Sequence, residues 1–214
     1  MPATSERLRT GRPEFIFVGD HPAVDFANTL LMVNGQVTDY LRTWTDVVQW
    51  LSRTGLSVDP SLKLAAARCG KALENVAELR QAWKAELACL IAGRKVSDEF
   101  VERLNRRLAA DIFYEKLHRQ GKKRFHLVRS ISQLRGEQLA LAILGRQIAV
   151  FLAQANLNYL RRCANTTSCA LYFYDTTKNH RRQWCSVTGC GNRHKVAEFR
   201  KRQAANLSET TGSA

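Results

Sequence analysis

Hydrophobic residues in the first 160 positions recur mainly at intervals of three and four, the spacing that places side chains on one face of an α-helix. The longest such pattern runs from Leu62 to Ile91, in a segment rich in strong helix-forming residues, where Gly70 could divide it into two helices. Another runs from about Ser132 to Asn158. Shorter patterns follow Thr45 and Ser97, each a predicted N-cap. We therefore predict a mainly helical domain.

Three segments before the cysteines depart from this long helical pattern. The apolar run 15–18, closed by Gly19-Asp20, predicts a short strand. A short helix is predicted after Pro22 and is ended by Asn34-Gly35; the residues expected on its buried face are Val24, Ala27, Leu30 and Leu31. Aromatic and alternating residues on either side of a glycine turn predict a β-hairpin over 112–128.

Composition and charge narrow the class of partner. The 214 residues, 45% of them hydrophobic, suit one folded domain with a small appendage. No uninterrupted apolar stretch approaches the roughly 20 residues that span a bilayer, and the polar N-terminus lacks an export signal. We therefore predict a cytoplasmic protein with no membrane partner. The net charge of +14 favours a polyanionic partner, either nucleic acid or an anionic membrane surface; with no membrane partner expected, nucleic acid is the prediction.

Four of the six cysteines crowd into the C-terminal part of the chain, with the pattern Cys163-x5-Cys169-x15-Cys185-x4-Cys190. Four thiolates in two pairs suit a closed, tetrahedral structural Zn²⁺ site. A segment this small cannot bury enough core alone, so metal binding would supply folding energy. Two alternatives remain: four buried or redox-active thiols, or a site in which His180 or His194 replaces one cysteine.

The residues between the cysteine pairs predict a hairpin followed by a helix. Its arms would be 170–174 and 183–184, whose aromatic side chains would shield the thiolates from water. A helix is expected from Cys190 onward, with Asn192, Arg193 and Lys195 at its start. Arginine and asparagine can form paired hydrogen bonds with guanine and adenine edges in the major groove.

Two stretches of the chain resemble known families. The run Trp-Cys-Ser-Val-Thr-Gly-Cys-Gly-Asn-Arg at 184–193, with the preceding 171–179 and 181–182, resembles the CGNR zinc-finger family. The run 17–29, Phe-Val-Gly-Asp-His-Pro-Ala-Val-Asp-Phe-Ala-Asn-Thr, is similar to the opening of the ABATE domain that accompanies this finger. Asp20 stands where glycine is expected, and the first cysteine pair is one residue longer than in the family. The resemblance implies a bacterial transcription regulator with a DNA-binding finger behind a regulatory domain.

These observations give one prediction of architecture. The fold class is mainly α with a small β-hairpin, plus a C-terminal four-cysteine zinc finger built from a hairpin and a helix. The predicted divisions are a helical ABATE-like regulatory domain over 1–160, the zinc finger over 161–206 and a disordered tail over 207–214.

Candidate DNA contacts follow from the basic character of the finger. Between positions 161 and 203 there are ten lysines and arginines and only two acidic residues. We expect Asn192, Arg193 and Lys195 to contact bases or nearby phosphates, unless Asn192 caps a helix or braces the zinc loop. The residues expected to hold the DNA backbone are Arg181, Arg182 and Arg200.

Three functions are compared. The first is a regulator of double-stranded DNA whose helical domain senses an effector or forms a homodimer; Asp25, Asn28 and Thr29 are candidate effector contacts, although hydrogen bonds that fix local packing are the favoured role. The second is an RNA- or single-strand-binding module whose aromatic residues stack on bases. The third is an enzyme, for which the only bases in the first domain are His21, His118 and His126; without a nucleophile or metal-ligand pattern beside them, we predict no catalytic residue.

Overall fold

The computed structural model describes residues 14–33, 36–57, 60–110, 114–119, 121, 124–130, 134–166 and 168–211. The predicted turn at Asn34-Gly35, Ser132 and the last three residues of the predicted tail lie outside these ranges. The chain forms two compact units. We call them the helical unit, Met1–Phe15 with Tyr40–Leu157, and the finger unit, Ile16–Asp39 with Asn158–Ala214.

The elements follow one another in a simple order. They are α1 (Pro22–Ala27), β1 (Leu30–Val33), β2 (Gln36–Asp39), α2 (Trp44–Arg53), α3 (Ala66–Ile91), α4 (Asp98–Ala110), β3 (Tyr114–Arg119), β4 (Phe125–Ser130), α5 (Gly136–Gln154), β5 (Leu160–Arg162), β6 (Tyr172–Tyr174) and α6 (Asn192–Thr211). Short 3₁₀ turns lie at Pro60–Leu62 and Leu157–Tyr159, and a π-helical turn lies at Val187–Gly191. Among the residues that the structure describes, the strands pair as three antiparallel hairpins, β1–β2, β3–β4 and β5–β6. The predicted fold class, mainly α with small strand pairs and a C-terminal cysteine cluster, is confirmed.

Helix α2 begins two residues earlier than predicted. Its N-cap is Thr43 and not Thr45: the Thr43 hydroxyl accepts a hydrogen bond from the Asp46 amide at 3.2 Å, and Asp46 Oδ2 accepts one from the Thr43 amide at 2.9 Å. This reciprocal pair is a capping box, which satisfies two backbone donors that a free helix end would leave open.

Helix α3 is continuous through Gly70, so the predicted break is wrong. Glycine weakens a helix by only about 1 kcal/mol, and α3 buries apolar side chains beyond that point. Trp83 is fully buried, stacks on Phe100 of α4 with ring centroids 5.9 Å apart, and meets the edge of Phe151 of α5 at 6.0 Å. These contacts tie the three long helices into the core of the helical unit. Ser97 caps α4 as predicted, because its hydroxyl accepts from the Phe100 amide at 3.3 Å.

The hairpin predicted over 112–128 is present as β3–β4, with the register running from Tyr114 opposite Ser130 to Arg119 opposite Phe125. Gly121 has a φ of +83°, a backbone angle that suits glycine in a turn. Helix α5 begins at Gly136, later than the predicted Ser132. This 19-residue helix is long enough and apolar enough to cross a membrane, judged by length and composition alone. Half of that stretch is buried inside the protein, as is usual for a core helix.

Four predictions for residues 15–39 and 158–211 are corrected. Residues Phe15–Val18 do not form a strand. Leu30 and Leu31 lie in strand β1, not on the helix after Pro22, which ends at Ala27. The β-hairpin pairs β6 with β5, so that Leu160 lies opposite Tyr174, and the predicted arm at 183–184 is not a strand. Helix α6 continues to Thr211, so most of the segment predicted to be disordered is helical.

Candidate metal centre

The four C-terminal cysteines converge on one point within the finger unit. Their Sγ atoms all lie within 4.8 Å of one another, and all four side chains are buried. The Sγ of Cys185 lies 3.7 Å from that of Cys169 and 3.7 Å from that of Cys190. A Zn–S bond of 2.3 Å in a tetrahedron separates sulfurs by about 3.8 Å, whereas a disulfide would hold them at about 2.05 Å. The donor set therefore fits one Zn²⁺ with no open coordination position.

The backbone brings these thiols together through two loops. The Cys163 amide donates to the Leu171 carbonyl at 2.9 Å, and the Cys169 amide donates to the Asn165 carbonyl at 2.9 Å, which closes the first loop. In the second, the Ser186 hydroxyl accepts from the Gly189 amide at 3.0 Å. The π-helical turn that follows carries Cys190, so this ligand lies two residues before the first residue of α6.

The electrostatics of the cluster also favour a cation. Burial raises the pKa of Cys163. The hydrogen bond between Cys185 and Cys169 lowers the pKa of Cys169 to about 5 and, together with burial and the neighbouring thiolate charge, raises that of Cys185. One thiolate therefore forms readily, and its negative charge opposes ionisation of its neighbours. A bound divalent cation removes this repulsion, because zinc ligation deprotonates a coordinating thiol.

The alternative ligands His180 and His194 lie apart from the cluster. The ring of His180 stacks on Tyr159 with centroids 3.5 Å apart, and its Nδ1 lies 2.9 Å from the Asp175 carbonyl oxygen. His194 is exposed, with its ring 5.6 Å from that of Trp184. Within the part of the chain that the structure describes, only the four cysteines form a group with metal-binding geometry.

Arg193 joins the helix to a ligand sulfur. Its Nη2 lies 3.0 Å from Cys190 Sγ, in position to donate a hydrogen bond to it. This contact with Cys190 raises the pKa of Arg193, although burial opposes the shift. Because a donor to a ligand atom orients it and lowers its negative charge, Arg193 belongs to the support of the metal centre. Its side chain is nevertheless exposed, and it lies at the start of α6.

Arg182, which was predicted to hold the DNA backbone, makes its contacts within the finger unit. Its Nε donates to the Trp184 carbonyl at 2.8 Å, and the guanidinium also bonds Asp20 Oδ2 and the Cys185 carbonyl. The same group lies 4.5 Å from the centre of the Phe173 ring, and its side chain is only 16% exposed. Since its donors are occupied within the finger unit, Arg182 holds the finger together instead of being offered to a phosphate.

Asp175 stabilises the loop between β6 and Cys185. It is fully buried and accepts hydrogen bonds from the Thr177 hydroxyl at 2.6 Å, the Thr177 amide at 3.0 Å and the Arg182 amide at 2.9 Å. Burial raises its pKa, but these donors outweigh that effect and hold the pKa of Asp175 below its ordinary value. Its role is to fix the loop before Cys185.

The N-terminal motif packs against the finger. Asn28 Nδ2 donates to the Tyr172 carbonyl at 2.8 Å and Asn28 Oδ1 accepts from the Tyr172 amide at 2.9 Å. Asp25 Oδ1 accepts from the Val18 amide at 3.0 Å and the Gly19 amide at 2.8 Å. The Thr29 hydroxyl donates to the Phe26 carbonyl at 2.7 Å. The three residues predicted as effector contacts are therefore buried and engaged in packing hydrogen bonds, the alternative favoured by the sequence.

This long-range link is the feature that sequence reasoning missed. Residues 16–39 and 158–214 form one compact unit although about 120 residues separate them. Gly19 packs closely within residues 16–39, because an added Cβ would stand 2.8 Å from Asp25 Oδ1 and 2.9 Å from the Asp25 nitrogen. The only signal in the sequence was the density of polar residues in an otherwise apolar motif.

Most of the predicted DNA-contacting residues lie exposed near the metal centre. Asn192, Lys195 and Arg200 are exposed on α6, and Arg181 is exposed in the loop before Cys185. The aromatic residues proposed for base stacking are less accessible. Tyr172 and Phe173 are buried, and Trp184 is half-buried.

Fold and site define a class: a small helical protein with a four-cysteine zinc finger that ends in a basic helix. Comparison with family models agrees. Residues 159–203 match the CGNR zinc finger, and residues 20–155 match the family described as "ABATE: Putative stress-induced transcription regulator". The chain belongs to this ABATE family, as its sequence motifs indicated. Zinc as the cofactor is confirmed, and the matched families are a regulator and a zinc finger, not enzymes. A search of curated proteins gives no match.

Proposed function

We propose that this protein is a zinc-dependent transcription regulator that binds double-stranded DNA through its C-terminal finger. The observation that carries the proposal is the position of α6, whose first residue follows within two positions of the zinc-ligand candidate Cys190. A closed metal site at this point would fix the direction of the helix and the placement of its first-turn side chains. Cys163, Cys169, Cys185 and Cys190 would be the four ligands.

The basic side chains have a natural division of roles. Asn192 and Lys195, together with Arg193, stand in the first turn of α6 and suit contacts with base edges or the nearest phosphates. Arg200 lies more than one turn further along α6, and Arg181 lies in the loop before Cys185. Both suit contacts with the DNA backbone. Arg182 is left out of this set because its donors are used within the finger. An α-helix of this kind fits the width of the major groove.

Duplex DNA is favoured over unpaired strands. Binding of single strands relies on exposed aromatic faces on which bases stack, and the finger buries two of its candidates, Tyr172 and Phe173. Within residues 192–204 of α6, every exposed charged side chain is a lysine or an arginine, and these can compete with counterions along a phosphate backbone. Such a regulator acts in the cytoplasm, and a homodimer would present two fingers to paired half-sites.

The test measures binding of a fluorescent 30-base-pair duplex by anisotropy at several salt concentrations. We expect Lys195→Gln and Arg200→Gln each to weaken binding and to lower the salt slope by about 1. Two matched controls are Arg182→Gln, which should destabilise the finger without changing the salt slope of the folded protein, and Arg94→Gln, an exposed charge in the helical unit.

Two results would contradict the proposal. One is tighter binding of single-stranded DNA or RNA of the same length, which would favour the stacking alternative. The other is unchanged duplex binding by a Cys185→Ser/Cys190→Ser variant that has lost its zinc. Light scattering of the same samples, with and without DNA, tests the homodimer.

A further inference from the structure

A cleft in the helical unit lies between α4 and the first turns of α5 and has a volume of about 340 Å³. Its wall from α4 carries Arg103, Arg106 and Arg107. Its wall from α5 carries the buried, apolar Leu141 and Ala142. The cleft is large enough for a small organic molecule, since ligand pockets of this kind begin at about 300 Å³.

The three arginines differ in their surroundings. Arg106 is exposed and lies 3.9 Å from Glu102, a loose pair on the surface of α4. Arg107 is half-buried, with its aliphatic stem against Gly145 of α5: an added Cβ there would stand 3.4 Å from Arg107 Cδ. Arg103 is also partly buried. Neither Arg103 nor Arg107 has a carboxylate within ion-pair distance among the residues that the structure describes.

The surroundings of Arg107 disfavour the positive charge of its guanidinium group. Burial, followed by the neighbouring charge of Arg103, lowers the pKa of Arg107, and this outweighs the opposite influence of Glu137 and Glu78. The guanidinium stays protonated at any physiological pH. A cation that is both partly desolvated and close to a second cation gains from an anion placed between them.

We propose that this cleft binds a small organic anion, a carboxylate or sulfonate joined to a compact apolar body. The oxyanion would lie between Arg103 and Arg107, because the planar guanidinium group binds such groups through two parallel hydrogen bonds. The apolar body would lie against Leu141 and Ala142, and Gln138 on the same wall offers a neutral polar contact. Anion binding in this cleft does not depend on the proposed DNA binding. A role of the cleft as an effector site would rest on the proposed DNA binding.

The test uses 1-naphthoate as the probe and 1-naphthamide, nearly identical in shape but uncharged, as its match. Binding to the full-length, zinc-loaded protein is measured by calorimetry without DNA. We expect one naphthoate per chain and at least tenfold weaker binding of naphthamide, because a charge-assisted hydrogen bond contributes enough for about one order of magnitude or more.

Two variants locate the binding. Arg107→Gln removes a cation and Ala142→Leu fills the apolar end while all three arginines remain, and each should weaken naphthoate binding at least tenfold. Arg94→Gln removes an exposed charge from the connection between α3 and α4 and should change binding less than twofold. Circular dichroism establishes that the variants are folded.

Three outcomes would overturn the proposal. They are equal binding of the charged and uncharged probes, no saturable binding of naphthoate, and unchanged binding by both cleft variants. If Arg107→Gln instead weakens only duplex DNA binding, the arginines form a DNA contact and the cleft is not a ligand site. Because naphthoate binding is measured without DNA, failure here leaves the proposed DNA-binding function standing.

Discussion

Replacing Asn28 with alanine should destabilise the finger unit, although Asn28 lies far from the cysteines in sequence. The side chain is 2% exposed and makes both of its hydrogen bonds with the backbone of Tyr172, at 2.8 and 2.9 Å. Alanine would leave the amide and the carbonyl of Tyr172 without these partners in a site that is 9% exposed. The variant therefore removes the partner of two buried backbone groups at once.

The expected loss can be worked from these two bonds. Each buried backbone group left unsatisfied costs about 1–3 kcal/mol. Partial access of water to the vacated space offsets some of this cost. We therefore expect the free energy of unfolding of the finger unit to fall by about 3 kcal/mol, which is more than a hundredfold in the unfolding equilibrium.

The assay must report on the finger unit and not on the whole chain. Zinc-loaded protein is titrated with urea while a chromophoric chelator reports the release of zinc, and the midpoints of parent and variant are compared. Gln203→Ala, which removes an exposed amide from α6 of the same unit, is the matched control and should shift stability by less than about 0.5 kcal/mol. A loss for Asn28→Ala no larger than that of the control would refute the reasoning.

Three further predictions concern the same unit. Gly19→Ala should lower its stability by about 1–3 kcal/mol in the zinc-release assay, because the new Cβ would meet Asp25 Oδ1 at 2.8 Å; an unchanged midpoint would contradict the tight approach. Burial raises the pKa of Asp25 from 3.8 to about 6, so its contribution to stability is fully present below pH 3.8 and is lost as the pH rises through 6. Between pH 5 and 7.5, Asp25→Asn should therefore gain about 1.5 kcal/mol of stability relative to the parent, which is the upper half of a full shift of roughly 3 kcal/mol; a constant difference over that range would show that Asp25 does not titrate there. Arg193→Gln removes the donor to Cys190 Sγ at 3.0 Å and should weaken zinc affinity about tenfold in a chelator competition; the exposed Arg181→Gln should leave it unchanged.

Local patterns in the sequence predicted local structure well. The four cysteines stand out because their spacing is short and their chemistry is specific, so the metal cluster followed from the sequence alone. The hairpin β3–β4 and the core helices followed from periodicity. The N-cap of α2 was misplaced by two residues, although Thr43-Trp44-Thr45-Asp46 contains the signal: an aspartate three residues after a threonine favours Thr43 as the cap.

The pairing of the short strands was predicted less well. Leu30 and Leu31 fit the helical spacing after Pro22, yet their strand is set by pairing with residues 36–39. The arm of the finger hairpin was assigned to 183–184 because it lies near the second cysteine pair, whereas β6 pairs with 160–162. For β1–β2 the sequence does hold a local signal, because Asn34-Gly35 is a dipeptide typical of two-residue hairpin turns. For the partner of β6 it holds none, since strand preference depends on the neighbours that each side chain meets.

The family boundaries and the compact units divide the chain differently, and this has a consequence for the finger. The ABATE match begins at residue 20 and the finger match at residue 159, but residues 16–39 pack in the finger unit. A finger excised at the family boundary would lack the hydrogen bond between Asn28 and Tyr172. It would also lack the hydrogen bonds that Arg182 donates to Asp20 and Val18. It would keep all four cysteines.

We therefore expect a peptide of residues 159–214 to bind zinc more weakly than the full chain. The cysteines alone supply the ligands, but part of the binding free energy must then order backbone that residues 16–39 otherwise hold in place. A synthetic peptide of residues 16–39, added in trans, should restore part of the affinity in chelator competition, and the same peptide carrying Asn28→Ala should restore less. Equal zinc affinity of the excised finger and the full chain would mean that the cysteine loops are organised without the N-terminal motif.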